Sequence, residues 1–197
     1  MPTRKSPTPA ASTHSSGPPW QIATASPIPP TPTNASAATH VHLKQTVNSP
    51  NHNVHALPGV LSLLDALRAQ PDRFTLGLLT GNYPENGRLK LESVGINPDW
   101  FTINVWGIDG PTRNDLPPVG VQRYEQHTGT SIDPSNVIII GDTLADIECA
   151  QTNSCRVAAV ATGGCSHDQL EPARPDLLLH NLKDGKSAFL NWVTNTL

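Results

Sequence analysis

The sequence predicts an α/β fold with a parallel sheet covered by helices on both faces, and three observations predict it. From Leu57 onward, short apolar runs alternate with stretches of helical periodicity. The run Val137-Ile138-Ile139-Ile140 is continuously apolar, as expected of a strand buried on both faces. Polar and glycine residues gather just after the predicted strands, where ligands bind in sheets of this kind.

The elements follow in order. After Pro58-Gly59, residues Val60, Leu61, Leu63, Leu64, Ala66 and Leu67 have the spacing of a buried helix face, broken by Pro71. Phe74 to Leu79 reads as a strand ending in Thr80-Gly81-Asn82. A helix is expected from about Pro84 to Val94, stopped by Gly95. A strand at about 103–107 leads into a polar loop, Asp109 to Asp115. Pro117-Pro118 opens a helix that runs to about His127 and closes at Gly129. The Val137–Ile140 strand turns through Gly141-Asp142-Thr143 into a helix holding Ile147 and Ala150. Val157–Ala161 is the next strand, followed by Gly163-Gly164, a short helix near Ser166–Leu170, a strand at Asp176–Leu179 and a last helix over 184–195.

The first 56 residues have a different character. They contain ten Pro, seven Ser, eight Thr and eight Ala, and the first acidic residue of the chain is Asp65. Such a segment cannot bury enough apolar surface to offset the entropy of ordering it. The expected organisation is therefore an unordered segment over 1–56 and one domain over 57–197. Within the first part, only the weak alternation of about 40–47 suggests a strand. His40, His42, His52 and His55 lack nearby acids or cysteines and read as incidental polar residues, not a metal tract.

A net charge of −3 gives no electrostatic reason to expect nucleic acid or a lipid surface. No apolar run approaches the roughly 20 residues that cross a bilayer, and no apolar core follows Arg4-Lys5 as a secretory signal would require. The hydroxyl-rich, acid-free start has some of the composition of an organelle transit peptide, but its prolines and few arginines argue against that. Cys149, Cys155 and Cys165 form no even framework and no Cys-x-x-Cys pair, so reduced thiols in the cytoplasm are expected.

Three places carry candidate chemistry. Asp142 ends the clearest strand, and Asp146 lies one helical turn further on; two carboxylates there suit a hard cation. Read as local structure instead, Asp142 or Thr143 caps the helix and Asp146 is a solvated charge near its N-terminus. Thr80, Gly81 and Asn82 precede a helix, where a hydroxyl, an amide and free N–H groups can hold phosphate oxygens, although capping explains either side chain alone. Arg113 sits in the next polar loop and could pair with a phosphate or simply be solvated.

In order, Leu79-Thr80-Gly81-Asn82, Arg113-Asn114-Asp115-Leu116 and Ile139-Ile140-Gly141-Asp142-Thr143-Leu144-Ala145-Asp146-Ile147 resemble the second, third and fourth motifs of the haloacid dehalogenase superfamily. Leu57-Pro58-Gly59-Val60 and Ala158 to Gly164 are similar to further segments of its phosphoglycolate-phosphatase-like members, so the resemblance covers about 57–185. It implies a Rossmann-like phosphatase body acting on a small phosphorylated metabolite. Thr80 would bond the phosphoryl group. Arg113, where the family usually has lysine, would balance charge. Asp142 would bind Mg²⁺, with Asp146 supporting the metal's water shell.

The resemblance also implies what is missing. The family's nucleophile and general acid are an Asp-x-Asp pair on the first, central strand, and the chain contains no Asp-x-Asp. The helical cap expected before Leu57 is also unrecognisable. Without the first strand, the strands ending at Thr80 and Asp142 should face one another across a gap with unpaired edges. Little or no phosphatase activity is expected. A non-catalytic Mg²⁺/phosphate-binding or protein-interaction module is the alternative, with a partner chain donating a strand as one way to fill the gap. A frameshifted or misplaced start is a further alternative, which the coding DNA would reveal.

Overall fold

The computed structural model describes residues 34–47 and 55–196, with side chains from residue 39. The order is α1 (Asn34–Val47), α2 (Val60–Arg68), β1 (Gly77–Leu79), α3 (Pro84–Ser93), β2 (Ile103–Val105), α4 (Leu116–Thr128), β3 (Ile138–Gly141), α5 (Leu144–Thr152), β4 (Arg156–Val160), α6 (His167–Leu170), β5 (Leu177–Leu179) and α7 (Leu182–Thr196). Every helix and strand expected after Leu57 is present. The strands are shorter than the apolar runs, because only paired residues count: Phe74 to Leu76 lie upstream of the β1 ladder.

Strand β4 shows how the pattern builds the core. Its side chains alternate between two apolar clusters. Ala158 and Val160 pack with Leu63 and Leu67 of α2 and Phe189 and Val193 of α7. Val157 and Ala159 face the other way, with Ile147 and Ala150 of α5 and Leu170 of α6. All four are buried, so the run is apolar without a polar alternate. Entry into this core depends on Gly59, whose φ is 93°; a Cβ there would meet the Leu182 carbonyl carbon at 2.2 Å. Only glycine lets the chain pass the start of α7 so closely.

The strands form two separate parallel sheets. In one, β1 pairs with β2, Gly77 opposite Ile103 and Leu79 opposite Val105. In the other the order is β3-β4-β5. Among the described residues no strand joins them. Between them runs an apolar cleft of about 530 Å³, walled by Leu78 and Leu79 of β1 and Ile138 and Ile140 of β3, with Leu67 and Phe189 among its other lining residues. A gap between these two strands is what the sequence led us to expect, and among the described residues no strand fills it.

The turn after β2 bridges the two sheets. Residues Arg113–Asp115 form a single 3-10 turn with a Thr112/Asp115 capping box, inside the stretch expected to be a loop. The turn docks on α5: Cys149 Sγ donates to the Arg113 carbonyl at 3.2 Å, and Asn153 Nδ2 donates to the Asn114 carbonyl at 2.8 Å.

Residues 40–47, whose alternation suggests a strand, belong instead to α1. Ala35, Ala37, Ala38, Leu43, Lys44 and Gln45 are good helix formers. The helix docks on α3 through His40 Nδ1, 2.9 Å from Oδ1 of buried Asn86, and its last residue, Val47, is buried. The weak alternation is therefore outweighed by helix propensity and a docking site. Part of the segment expected to be unordered is thus helical; its residues 1–33 and 48–54, His52 included, lie outside the described residues.

Candidate active site

The residues singled out from the sequence follow the carboxyl ends of β1 (Thr80, Gly81 and Asn82), β2 (Arg113) and β3 (Asp142), with Asp146 in the first turn of α5. Thr80 directly follows β1, and its N–H continues the ladder to the Val105 carbonyl at 3.0 Å. Its hydroxyl oxygen accepts from Asn82 Nδ2 at 2.7 Å and from the Asn82 N–H at 3.2 Å. With both lone pairs engaged, the Thr80 O–H is left as a donor. Gly81 has open space where a Cβ would stand, whereas Gly107 lies so close that its Cβ would meet the Gly81 carbonyl oxygen at 2.2 Å. The loops after β1 and β2 therefore touch backbone to backbone.

Lys90, which the sequence did not single out, completes this group. Its ammonium donates to Asn82 Oδ1 at 2.8 Å, which fixes the amide so that its NH₂ faces Thr80. Partial burial holds the amine below the usual lysine range. The signal for it was a spacing of eight residues, from Asn82 to the second turn of α3, which is visible only once the helix is known to fold back beside the strand end.

The second group surrounds β3 and α5. Asp146 is 4% exposed, and both its carboxylate oxygens are engaged. Oδ2 accepts from the Thr143 hydroxyl at 2.7 Å, the Thr143 N–H at 3.0 Å and the Asp142 N–H at 3.1 Å, and Oδ1 accepts from Arg113 Nη2. Thr143 and Asp146 form a capping box at the start of α5. Arg113 retains a buried Nε with no hydrogen-bond partner, and it also lines the cleft.

Asp142 stands beside this pair with its carboxylate against the loop after β4. A Cβ on Gly163 would fall 1.4 Å from Asp142 Oδ2, so glycine is required there. Burial raises the Asp142 pKa, and repulsion from Asp146 adds to the shift; the Gly164 N–H and Arg113 oppose it. The structure brings Arg113, Asp142 and Asp146 together, and separately Thr80, Gly81 and Asn82. No hydrogen bond links the two groups among the described residues.

The donor set can be tested for Mg²⁺, the cation implied by the resemblance. Hard cations take oxygen ligands, and Mg²⁺ keeps several waters and binds one or two carboxylates plus phosphate. Asp146 is taken up by Arg113 and the α5 N-terminus, which leaves Asp142 alone. Among the described residues no three His, Cys, Asp or Glu side chains converge. These residues alone do not make a resident Mg²⁺ site.

Two family descriptions match the chain: haloacid dehalogenase-like hydrolase over residues 30–151, and HAD-hydrolase-like over 120–185. The first match begins upstream of the 57–185 stretch that carries the motif resemblance, and it includes α1. Pyrophosphatase PpaX of Bacillus pumilus is 30% identical over 138 residues, covering 68% of this chain and 62% of PpaX. A predicted phosphoglycolate phosphatase from Haemophilus somnus shares the fold at a TM-score of 0.56 and 22% identity, over 68% of this chain and 56% of its own. A hydrolase from Pseudomonas syringae does so at 0.64 and 16% identity, over 79% and 68%. The chain thus spans less than two-thirds of the PpaX and Haemophilus proteins. With the first family match covering more than half of the chain, and with the parallel α/β fold shared with solved phosphatases, the chain belongs to the haloacid dehalogenase-like hydrolases.

Proposed function

We propose that this chain is a phosphomonoester-handling body that binds the phosphate of a small metabolite at the mouth of the cleft and does not turn it over unaided. One observation carries the reading: Arg113 lines the cleft together with Leu79 and Ile140, the residues that directly precede Thr80 and Gly141 at the two strand ends. The Thr80 hydroxyl, oriented by Asn82, donates to a phosphate oxygen. The Gly81 and Asn82 region at the start of α3 presents backbone next to it. The free edge of the Arg113 guanidinium offsets the anion's charge, although Asp146 already holds one of its nitrogens.

Hydrolysis needs a nucleophile and a general acid. No Asp-x-Asp occurs in the sequence. Asp142 is half-buried, its carboxyl raised above the usual range by burial and by repulsion from Asp146, with its carboxylate against the loop after β4. Mg²⁺ would find one free carboxylate, so we expect weak metal binding that phosphate strengthens. Buried Cys149 has its thiol pushed up to about 11 by desolvation, which keeps it protonated and unreactive. No helix among the described residues is long and apolar enough to cross a membrane.

Titration calorimetry with inorganic phosphate tests the reading. Saturable binding, weakened about tenfold or more by Thr80→Val, is expected, since one charge-assisted hydrogen bond contributes about 1.5–3 kcal/mol. Phosphate binding that Thr80→Val and Arg113→Met leave unchanged would overturn it. The open cleft favours a second reading, a non-catalytic interaction module.

A further inference from the structure

Two histidines meet at the carboxyl ends of β4 and β5. His167 opens α6, after the loop that follows β4, and His180 directly follows β5. Their imidazoles are stacked, with ring centroids 4.3 Å apart and planes 23° from parallel. Rings laid face to face do not converge their in-plane nitrogens on one point, so the pair is not a metal chelate. Among the described residues no cluster of three metal-binding side chains includes it.

The loop between β4 and α6 is the one that holds Asp142. Gly163 lies against the Asp142 carboxylate, and the Gly164 N–H bonds to it. The far end of the loop is tied to α6 by the Ser166/Gln169 capping box, in which the Ser166 N–H donates to Gln169 Oε1 at 2.8 Å. Helix α6 has four residues. Its last, Leu170, is fully buried, and its first, His167, rests on His180. Loss of the stack leaves Leu170 as the apolar anchor and frees the first residue of α6, close in the chain to Gly164, to move.

An imidazole changes charge between about pH 5 and 8. Neutral rings stack, and one imidazolium stacks on a neutral ring, but two like charges at this spacing repel. The Asp168 carboxylate stands 3.9 Å from His167 Nδ1, but its side chain is 98% exposed and offsets little of that repulsion. Around the pair, Glu171 lies in the 3-10 turn after α6, Arg174 follows it, Asp176 precedes β5, and Lys183 and Asp184 lie in the first turn of α7. Asp176 accepts from the Val157 N–H and Asp184 from Asn181. Among the described residues none of these five forms an ion pair with either ring. We infer that His167 and His180 form a proton-operated clip on the loop that holds Asp142. With at most one ring charged, the stack holds α6 to the end of β5. With both charged it opens, and the Gly164 N–H withdraws from the Asp142 carboxylate. The clip rests on the loop and the stack, so phosphate binding can fail without affecting it.

The test follows the full chain by nuclear magnetic resonance from about pH 8 down to about pH 5. Overhauser contacts between the two imidazole rings should be present at the upper end and lost at the lower. The Gly164 amide resonance should shift in step with that loss. Protonation of Asp142 itself can also move this resonance, so the series is repeated in Asp142→Asn. There the shift should persist, because the histidines drive it. His180→Phe keeps a ring for His167 to stack on but takes no second charge. Added to Asp142→Asn, it should hold the ring contacts at the lower pH and leave the Gly164 resonance fixed. His167→Phe in its place should do the same. Ring contacts that survive to the lower pH in the parent chain would overturn the inference. So would a Gly164 shift absent from Asp142→Asn, or one that remains after either Phe substitution.

Discussion

The guanidinium of Arg113 closes on the carboxylate of Asp146, and with it the turn after β2 is tied to the helix after β3. The two sheets share no strand pairing among the described residues, so this ion pair is one of the few polar ties between them. Asp146 also caps α5. Removing it leaves the largely buried Arg113 charge unpaired and an N-terminus uncapped. Breaking a buried pair is expected to cost about 3–5 kcal/mol, so Asp146→Ala should lower the urea midpoint strongly. Arg113→Met should cost less, because the Thr143 hydroxyl and two N–H groups still satisfy Asp146. Equal losses from the two substitutions would contradict this division of roles.

Gly59 is tested through its backbone. At φ 93° an L side chain is disfavoured, and its Cβ would overlap the Leu182 backbone, which cannot swing aside as a side-chain end can. Gly59→Ala should destabilise by about 2–3 kcal/mol, measured by denaturant unfolding, with strain and overpacking both contributing. At Gly95, also at positive φ (78°) but with open space around it, Ala should cost only about 1 kcal/mol.

Lys90 acts on phosphate through Asn82 and Thr80. Lys90→Met frees the Asn82 amide to rotate, so the Thr80 proton is no longer directed outward. Phosphate affinity should fall about three- to tenfold, the worth of one oriented hydrogen bond, while the thermal midpoint changes little. Lys90→Arg should restore most of the affinity, and the Asn82 side-chain amide resonances in a nitrogen–proton correlation spectrum should shift with Met and return with Arg. Unmoved resonances would remove Lys90 from the site.

How much of this could be read in the sequence depended on range. Local signals gave α2 by its apolar spacing, α5 by the Gly141-Asp142-Thr143 turn and α4 by its opening prolines, and Gly129 closes α4 at φ 70° as its position implied. The Thr143/Asp146 capping box is also local, three residues apart, and Thr143 caps α5 as the local reading had it, but Asp146 is buried and paired with Arg113 instead of being a solvated charge. The open gap followed from the order of motifs along a known type of sheet. What escaped was long-range or weakly encoded. The pairing of Arg113 with Asp146 spans 33 residues, and the contact of Lys90 with Asn82 requires α3 to fold back on the strand end. Helix α1 was hidden because its sequence alternates weakly and its docking partner, Asn86, lies 46 residues from His40.

A second ion pair gives the pH dependence. Asp109 accepts from both Arg123 Nη1 at 2.6 Å and Nη2 at 2.8 Å, and from the Trp106 N–H at 2.8 Å. The Arg123 hydrogen bonds, chiefly, hold its carboxyl below the usual range. A group with a lowered folded pKa stabilises above its unfolded value of about 3.9, and that contribution is lost as pH falls through the lower folded value. Asp109→Asn should therefore cost about 1–3 kcal/mol at pH 7, and the difference from the parent chain should shrink below pH 4. A difference constant from pH 7 to 3 would contradict the ion-pair origin of the effect.

On the proposed reading, this chain keeps the phosphate-binding half of a phosphatase site without the groups that perform the displacement. The decisive measurement is hydrolysis of p-nitrophenyl phosphate by the full chain, with and without Mg²⁺. No turnover above the buffer rate is expected in either condition. Mg²⁺-dependent turnover that disappears in Asp142→Ala would contradict the proposal.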